Sequence, residues 1–241
     1  MAYGKYFNKG QKVFIKRIFD GDSEQALDTL TGYVTGSQAM QLDLTLPYGC
    51  DAADSYPFEV GMLFEVMTDH RSMGLRMKAS FVERTSGKDI RLQFAGSLEF
   101  ISRRMFRRVD VNAWVGYRRG RGNLAAMRRE WQDCLAKIEA GVNPRELTDF
   151  VKFPTNLAGG GMRLSLPAPV ETAELLLLFL SIGDRQGIIC ALAEVLWVGA
   201  VDDDNAQAAG LRFLNILEKD QARIDKVVAA VLQRLDQAVS D

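Results

Sequence analysis

The chain has 241 residues, 47% hydrophobic and 25% charged, which are the proportions of a folded globular protein and exclude wholesale disorder, a collagen and a bare coiled coil. Thirty Lys plus Arg against thirty-one Asp plus Glu leave a formal net charge of -1. No global field therefore draws the protein onto nucleic acid or an anionic membrane, and any anion site must be local.

The first hundred residues read as strands. Met40, Leu42, Leu44 and Leu46 alternate with polar residues, the period of two that puts one face on a core. The same alternation is read in Phe58, Val60, Met62, Phe64 and Val66, in Leu75, Met77, Ala79 and Phe81, and in Ile90, Leu92 and Phe94. Short strands without helical periods between them predict a small antiparallel barrel or sandwich. A boundary is expected near residue 100, giving units of about 1–100 and 101–241. Beyond it, Val109, Val111, Ala113, Val115 and Tyr117 predict a strand. Leu124, Met127, Trp131, Leu135 and Ile138 then recur at helical spacing until Gly141 and Pro144. Strand patterns return at Met162–Leu166, Leu175–Ile182, Ile188–Val198 and Leu211–Ile216. A last helix is expected from about Glu218 to Val239, with Ile224, Val227, Val228, Val231, Leu232 and Leu235 as one apolar stripe, packed intramolecularly or against a second copy.

No run approaches the roughly 18 apolar residues of a membrane span, and Met1–Lys16 lacks the apolar centre of a signal peptide. A cytoplasmic protein is expected. Cys50, Cys134 and Cys190 form no CxxC pair, which suits buried, reduced thiols better than disulfides or zinc. His70, the only histidine, reads as a solvated turn residue, and no nucleophile motif accompanies it. Asp202-Asp203-Asp204-Asn205 lacks the Gly and the distal Glu of a calcium loop and reads as a hairpin turn. Glu171, Glu174 and Glu194 fall on separate strand edges, so no catalytic residue and no metal site is assigned. Trp114, Trp131 and Trp197 sit in apolar patterns and are expected in the core or at an interface.

The local charge lies between Arg103 and Arg129, where Arg103, Arg104, Arg107, Arg108, Arg118, Arg119, Arg121, Arg128 and Arg129 occur with no lysine among them. A solvated face accepts either cation, whereas a planar fork donating two parallel hydrogen bonds suits phosphates and purines. Arg103-Arg104-Met105-Phe106-Arg107-Arg108-Val109 resembles the R-x-x-x-R motif that opens PilZ domains, with Arg104 and Arg108 in register. Arg103 and Arg107 are also four apart, so the register can slip by one. Asn156-Leu157-Ala158-Gly159-Gly160-Gly161 resembles the second motif of that family, [D/N]-x-S-x-x-G, and Gly210–Phe213 with the closing helix resembles its C-terminal end. The strand-rich first half resembles the N-terminal barrel of flagellar-brake-like PilZ proteins.

The resemblance implies a mainly all-β chain of two small antiparallel β-barrels. The second would be a six-stranded PilZ-type barrel with a helical insertion at about 118–153 and a C-terminal helix. It implies no enzyme and no cofactor, but a receptor that captures cyclic di-GMP through Arg103, Arg104, Arg108, Asn156, Ala158, Gly159, Gly160 and Gly161. Its partner would be a protein of the motility, attachment or exopolysaccharide machinery, and a homodimer is compatible with the apolar stripes. Nucleic acid through the arginines is disfavoured by the net charge. Where the family has Ser this chain has Ala158, which removes a hydroxyl worth about 0.5–1.5 kcal/mol if it makes a neutral hydrogen bond. That departure keeps a nucleotide-independent adaptor as the alternative.

Overall fold

The computed structural model describes residues 3–19, 26–48, 56–70, 73–102, 106–120, 123–184 and 186–240. Cys50, Arg103, Arg104 and Arg121 lie outside these residues. The chain divides into two compact units, one carrying strands β1–β6 and the other carrying β7–β12, helix α2 and helix α1 from Ala126 onward.

In the first unit β1 (Lys12–Arg17), β2 (Ala26–Gln38), β3 (Gln41–Thr45), β4 (Leu63–His70), β5 (Met73–Arg84) and β6 (Asp89–Ile101) pair antiparallel in the order β1-β4-β5-β6-β3-β2. β2 pairs back onto β1, from Lys12 opposite Tyr33 to Lys16 opposite Thr29, and closes a six-stranded barrel. Closure leaves no unpaired edge. Val13, Ile15, Leu42, Leu44, Phe64, Val66, Leu75, Met77, Ile90 and Leu92 fill the interior.

The alternation starting at Phe58 does not run as one strand. Val60 is 81% exposed, and Glu59–Met62 forms a turn closed by Met62 N–H donating to the Glu59 carbonyl, with Gly61 at φ 89°. β4 starts only at Leu63, although the Phe58 ring still stacks on Phe81 at 4.7 Å. β1 and β2 were not among the four alternations. β2 turns Thr29 and Thr31 into the buried space, so hydrophobic alternation does not reveal it.

The second unit contains β7 (Val109–Arg119), α1 (Leu124–Glu139), β8 (Val151–Ala158), β9 (Gly161–Pro167), β10 (Leu175–Ser181), β11 (Ile189–Val201), β12 (Ala206–Leu217) and α2 (Glu218–Ser240). The ring runs β7-β8-β9-β12-β11-β10 and returns to β7, antiparallel throughout. The fold is thus mainly β, a closed six-stranded barrel with a helical insertion and a C-terminal helix. The insertion spans residues 120–150, shorter than 118–153, because β7 continues to Arg119 and an unforeseen strand, β8, begins at Val151.

β10 is buried along Leu175–Leu180, and such a strand reads as an unbroken apolar run because both of its faces are covered. Burying each leucine stabilises by roughly 1.5–3 kcal/mol. α1 is tied to this side of the barrel. Trp131 Nε1–H donates to the Cys190 carbonyl at 3.0 Å, and Arg118 of β7 meets Glu130 at 3.0 Å while its guanidinium lies 5.6 Å from the Phe179 ring centre. Arg118 also donates to Cys134 Sγ at 2.8 Å. A hydrogen bond from Cys190 and the Arg118 charge, against the opposing effect of burial, pull the Cys134 thiol down to about 7, and the same hydrogen bond with burial pushes Cys190 up. Both are free thiols, not a disulfide.

Trp131 is a core residue, whereas Trp114 and Trp197 are 52% and 46% exposed on their strands and lie outside the core. The α2 stripe is also buried only in part. Ile224 and Val228 are covered, whereas Leu235 is 55% exposed, because α2 packs on β7, β8 and β12 and its C-terminal half outruns them. No described helix is long and apolar enough to cross a membrane.

Candidate functional site

The second glycine-rich motif is a hairpin. Asn156 and Ala158 close β8, Gly161 opens β9, and Gly159-Gly160 is the two-residue turn, with Asn156 opposite Arg163 and Ala158 opposite Gly161. Each glycine has a separate reason. A Cβ on Gly161 would overlap the backbone carbonyl of Leu211 in the neighbouring β12, at a φ of 155° that side chains rarely adopt. A Cβ on Gly159 would run into the Asp225 carboxylate. A Cβ on Gly160 would stand 2.6 Å from the Phe106 ring. Gly160 itself accepts a hydrogen bond at its carbonyl from the Phe213 amide at 3.1 Å.

Phe106 lies between the two arginines of the R-x-x-x-R motif in sequence, and its seat on Gly160 brings the described end of that motif, Phe106–Arg108, to the glycine turn. Arg108 is exposed immediately before β7, as is Arg107. Arg103 and Arg104 fall outside the described residues. Of the residues read from the sequence, the structure thus gathers Arg108, Asn156, Gly159, Gly160 and Gly161 around one end of the β7–β8–β9 sheet. Ala158 is there too but only 3% exposed, which turns it toward protein and not toward solvent.

Two groupings in this place were not read from the sequence, although Asn156, a member of the second, was. α2 supplies Gln221 and Asp225, one helical turn apart on the same face. Gln221 Nε2–H donates to the Gly159 carbonyl at 2.9 Å, and the Gly159 amide donates to Asp225. Burial pushes the Asp225 carboxyl above the usual carboxylate range, and the amide hydrogen bond pulls the other way. The i, i+4 spacing was the available signal. The second set lies across three strands. Asp110 faces Asn156 and Asn156 faces Arg163; Asn156 Nδ2–H donates to Asp110 Oδ1 at 2.9 Å, and Arg163 Nη2 is 3.8 Å from the same oxygen.

Arg223 fixes α2 in this position. Its Nε and Nη2 donate to the two oxygens of Asp184 at 2.7 and 2.9 Å, Nη1 donates to Asp220 at 2.6 Å, and Nη2 also donates to the Gly187 carbonyl at 2.8 Å. The hydrogen bond from Arg223 holds Asp184 below the usual carboxylate range, whereas burial holds Asp220 above it.

The arrangement presents cations, glycine backbone and a polar row. His70 closes the β4 end opposite Met73 with its ring 5.6 Å from Tyr6. Asp202 Oδ1 accepts from the amides of Asp204 and Ala206, which makes 202–205 a hairpin turn. Among the described residues no group of His, Cys, Asp or Glu is gathered for a metal ion.

No curated protein matches the sequence. Solved structures with similarity include the inhibitor of motility MotI/DgrA of Bacillus subtilis, at 14% identity over 95% of this chain and 99% of that one, TM-score 0.38. Escherichia coli YcgR in complex with c-di-GMP is similar at 11% identity over 95% and 87%, TM-score 0.38. The K. pneumonia MrkH–c-di-GMP complex is similar at 13% identity over 94% and 90%, TM-score 0.37. The family assignment rests on a different comparison, the match of the PilZ domain model to residues 102–230. With that match covering more than half of the sequence, the chain belongs to the PilZ domain family.

Proposed function

We propose that this protein is a cyclic di-GMP receptor, a binding protein and not an enzyme. The ligand would be held between Arg103, Arg104 and Arg108 on one side and the Asn156–Gly161 hairpin on the other. The observation that carries the reading is the seat of Phe106 on Gly160, since it supports a common site for two motifs about fifty positions apart in sequence. A cyclic dinucleotide carries two phosphates and two guanines; forked guanidinium groups suit the O6 and N7 acceptors and the phosphates, and a glycine turn lets backbone approach without side chains.

Gly159 has its amide engaged by Asp225 and Ala158 offers no hydroxyl, so the anionic ligand relies on the arginines and on Gly160. On capture the receptor changes its conformation or the surface it offers to a protein of the motility, attachment or exopolysaccharide machinery, in the cytoplasm. A nucleotide-independent adaptor is the second reading, favoured by Ala158 being both apolar and buried.

Gly160→Ala tests the first reading. The added methyl displaces the Phe106 ring and with it the arginine segment, so calorimetric titration is expected to show at least a tenfold loss of cyclic di-GMP affinity, with the barrel's thermal transition nearly kept. Wild-type affinity in the variant, or absence of binding by the wild type, contradicts it. The latter result favours the adaptor.

A further inference from the structure

In the row Asp110–Asn156–Arg163, Asp110 and Arg163 have no role in the site proposed above. Each residue is directly opposite the next across β7, β8 and β9, positions at which side chains on one sheet face meet. Asp110 and Arg163 are 80% and 58% exposed at their side chains. Both Asn156 Nδ2 and Arg163 Nη2 are turned to Asp110 Oδ1, and no described residue engages Oδ2. One N–H of Asn156 is spent on Asp110, which leaves its carbonyl oxygen and its second N–H for the ligand side. With the carbonyl oxygen of Asn156 turned to the ligand, the row across the sheet reads acceptor, acceptor, donor.

The Watson–Crick edge of guanine reads N2–H donor, N1–H donor, O6 acceptor, which is the complement of that row. Adenine offers a donor at N6 and an acceptor at N1 and opposes it. The second family motif admits Asp or Asn at its first position, and here Asn156 brings no charge. The carboxylate is instead on the facing strand, within hydrogen-bond distance of that very residue.

We propose that Asp110 is the base-reading carboxylate of this site, accepting from the guanine 2-amino group while Asn156 accepts from N1–H and Arg163 donates to O6. The inference rests on the receptor reading above and adds the source of its base specificity.

The test uses the full chain and three ligands: cyclic di-GMP, its inosine analogue, which lacks the 2-amino group but keeps N1–H and O6, and cyclic di-AMP. Wild type is expected to bind the guanine ligand at least tenfold more tightly than the inosine one and to bind the adenine ligand least. Asp110→Ala is expected to fold normally, since the residue is solvated, and to hold the guanine and inosine ligands equally, at the wild type's inosine affinity. Arg163→Ala is expected to weaken those two ligands by a common factor, because both retain O6. An Asp110→Ala protein that keeps the wild-type guanine-to-inosine ratio overturns the inference and leaves the receptor reading intact. A wild type that binds none of the ligands overturns both.

Discussion

Arg223→Ala is expected to lower the stability of the second barrel unit by about 3–5 kcal/mol, the cost of removing one partner from a buried ion pair. Exposed pairs contribute only about 0–1 kcal/mol, so burial decides which regime applies. The Arg223 side chain is 11% exposed, with Asp184 at 16% and Asp220 at 7%. Its loss leaves two carboxylates and the Gly187 carbonyl without their shared donor. Denaturant unfolding followed through the unit's own transition measures the effect, and a change under about 0.5 kcal/mol would class the cluster with surface pairs.

The pH dependence of the same variant has a defined sign. Asp184 has a folded pKa depressed by Arg223, so its contribution is present above the ordinary carboxylate range and is lost as pH falls through the depressed value. Asp220 is shifted upward by burial; its contribution is present below the ordinary carboxylate range and is lost as pH rises through the raised value. Acidification below the ordinary carboxylate range is therefore expected to destabilise the wild type more than Arg223→Ala, where Asp184 has no cation to lose. Parallel acid curves for the two proteins would mean that Arg223 does not set the Asp184 titration.

The second large effect is on the ligand. Arg104→Ala and Arg108→Ala are each expected to cost ten- to a hundredfold in cyclic di-GMP affinity, corresponding to roughly 1.5–3 kcal/mol for a charged hydrogen-bond partner. The unliganded thermal transition is expected to stay in place for Arg108→Ala, because that side chain is exposed at the lead-in to β7. Arg107→Ala serves as the register control. Phe106 lies between the members of both possible pairs, Arg103 with Arg107 and Arg104 with Arg108, so its seat on Gly160 does not choose between them. Full loss in Arg107→Ala with Arg108→Ala unaffected would move the pair by one residue, and wild-type binding in all three variants would remove the arginine segment from the site.

What the sequence reveals depends on whether a residue's neighbour lies near it in the chain. β10 was legible because a strand covered on both faces needs an unbroken apolar run, Leu175–Leu180. β3, β5 and β6 were legible because one face alone is apolar. β2 was not, since Thr29 and Thr31 take buried positions and conceal the period. The glycine turn was legible from its composition. The Asp110–Asn156–Arg163 row was hidden because it exists only once β8 is known to pair with both β7 and β9, and β8 carries Lys152, Pro154 and Thr155 where an apolar alternation would have announced it. Gln221 and Asp225 look like part of the wet face of an amphipathic helix until the glycine turn is found beneath them.

The most direct measurement is the set of backbone amide resonances of the nitrogen-15-labelled chain, titrated with cyclic di-GMP. The account predicts saturable shifts largest at Gly159–Gly161, Asn156 and the residues from Phe106 to Asp110, with the first barrel's interior strands nearly unmoved. Resonances that stay in place at millimolar ligand, or shifts confined to residues away from the β7–β8–β9 end, would contradict it.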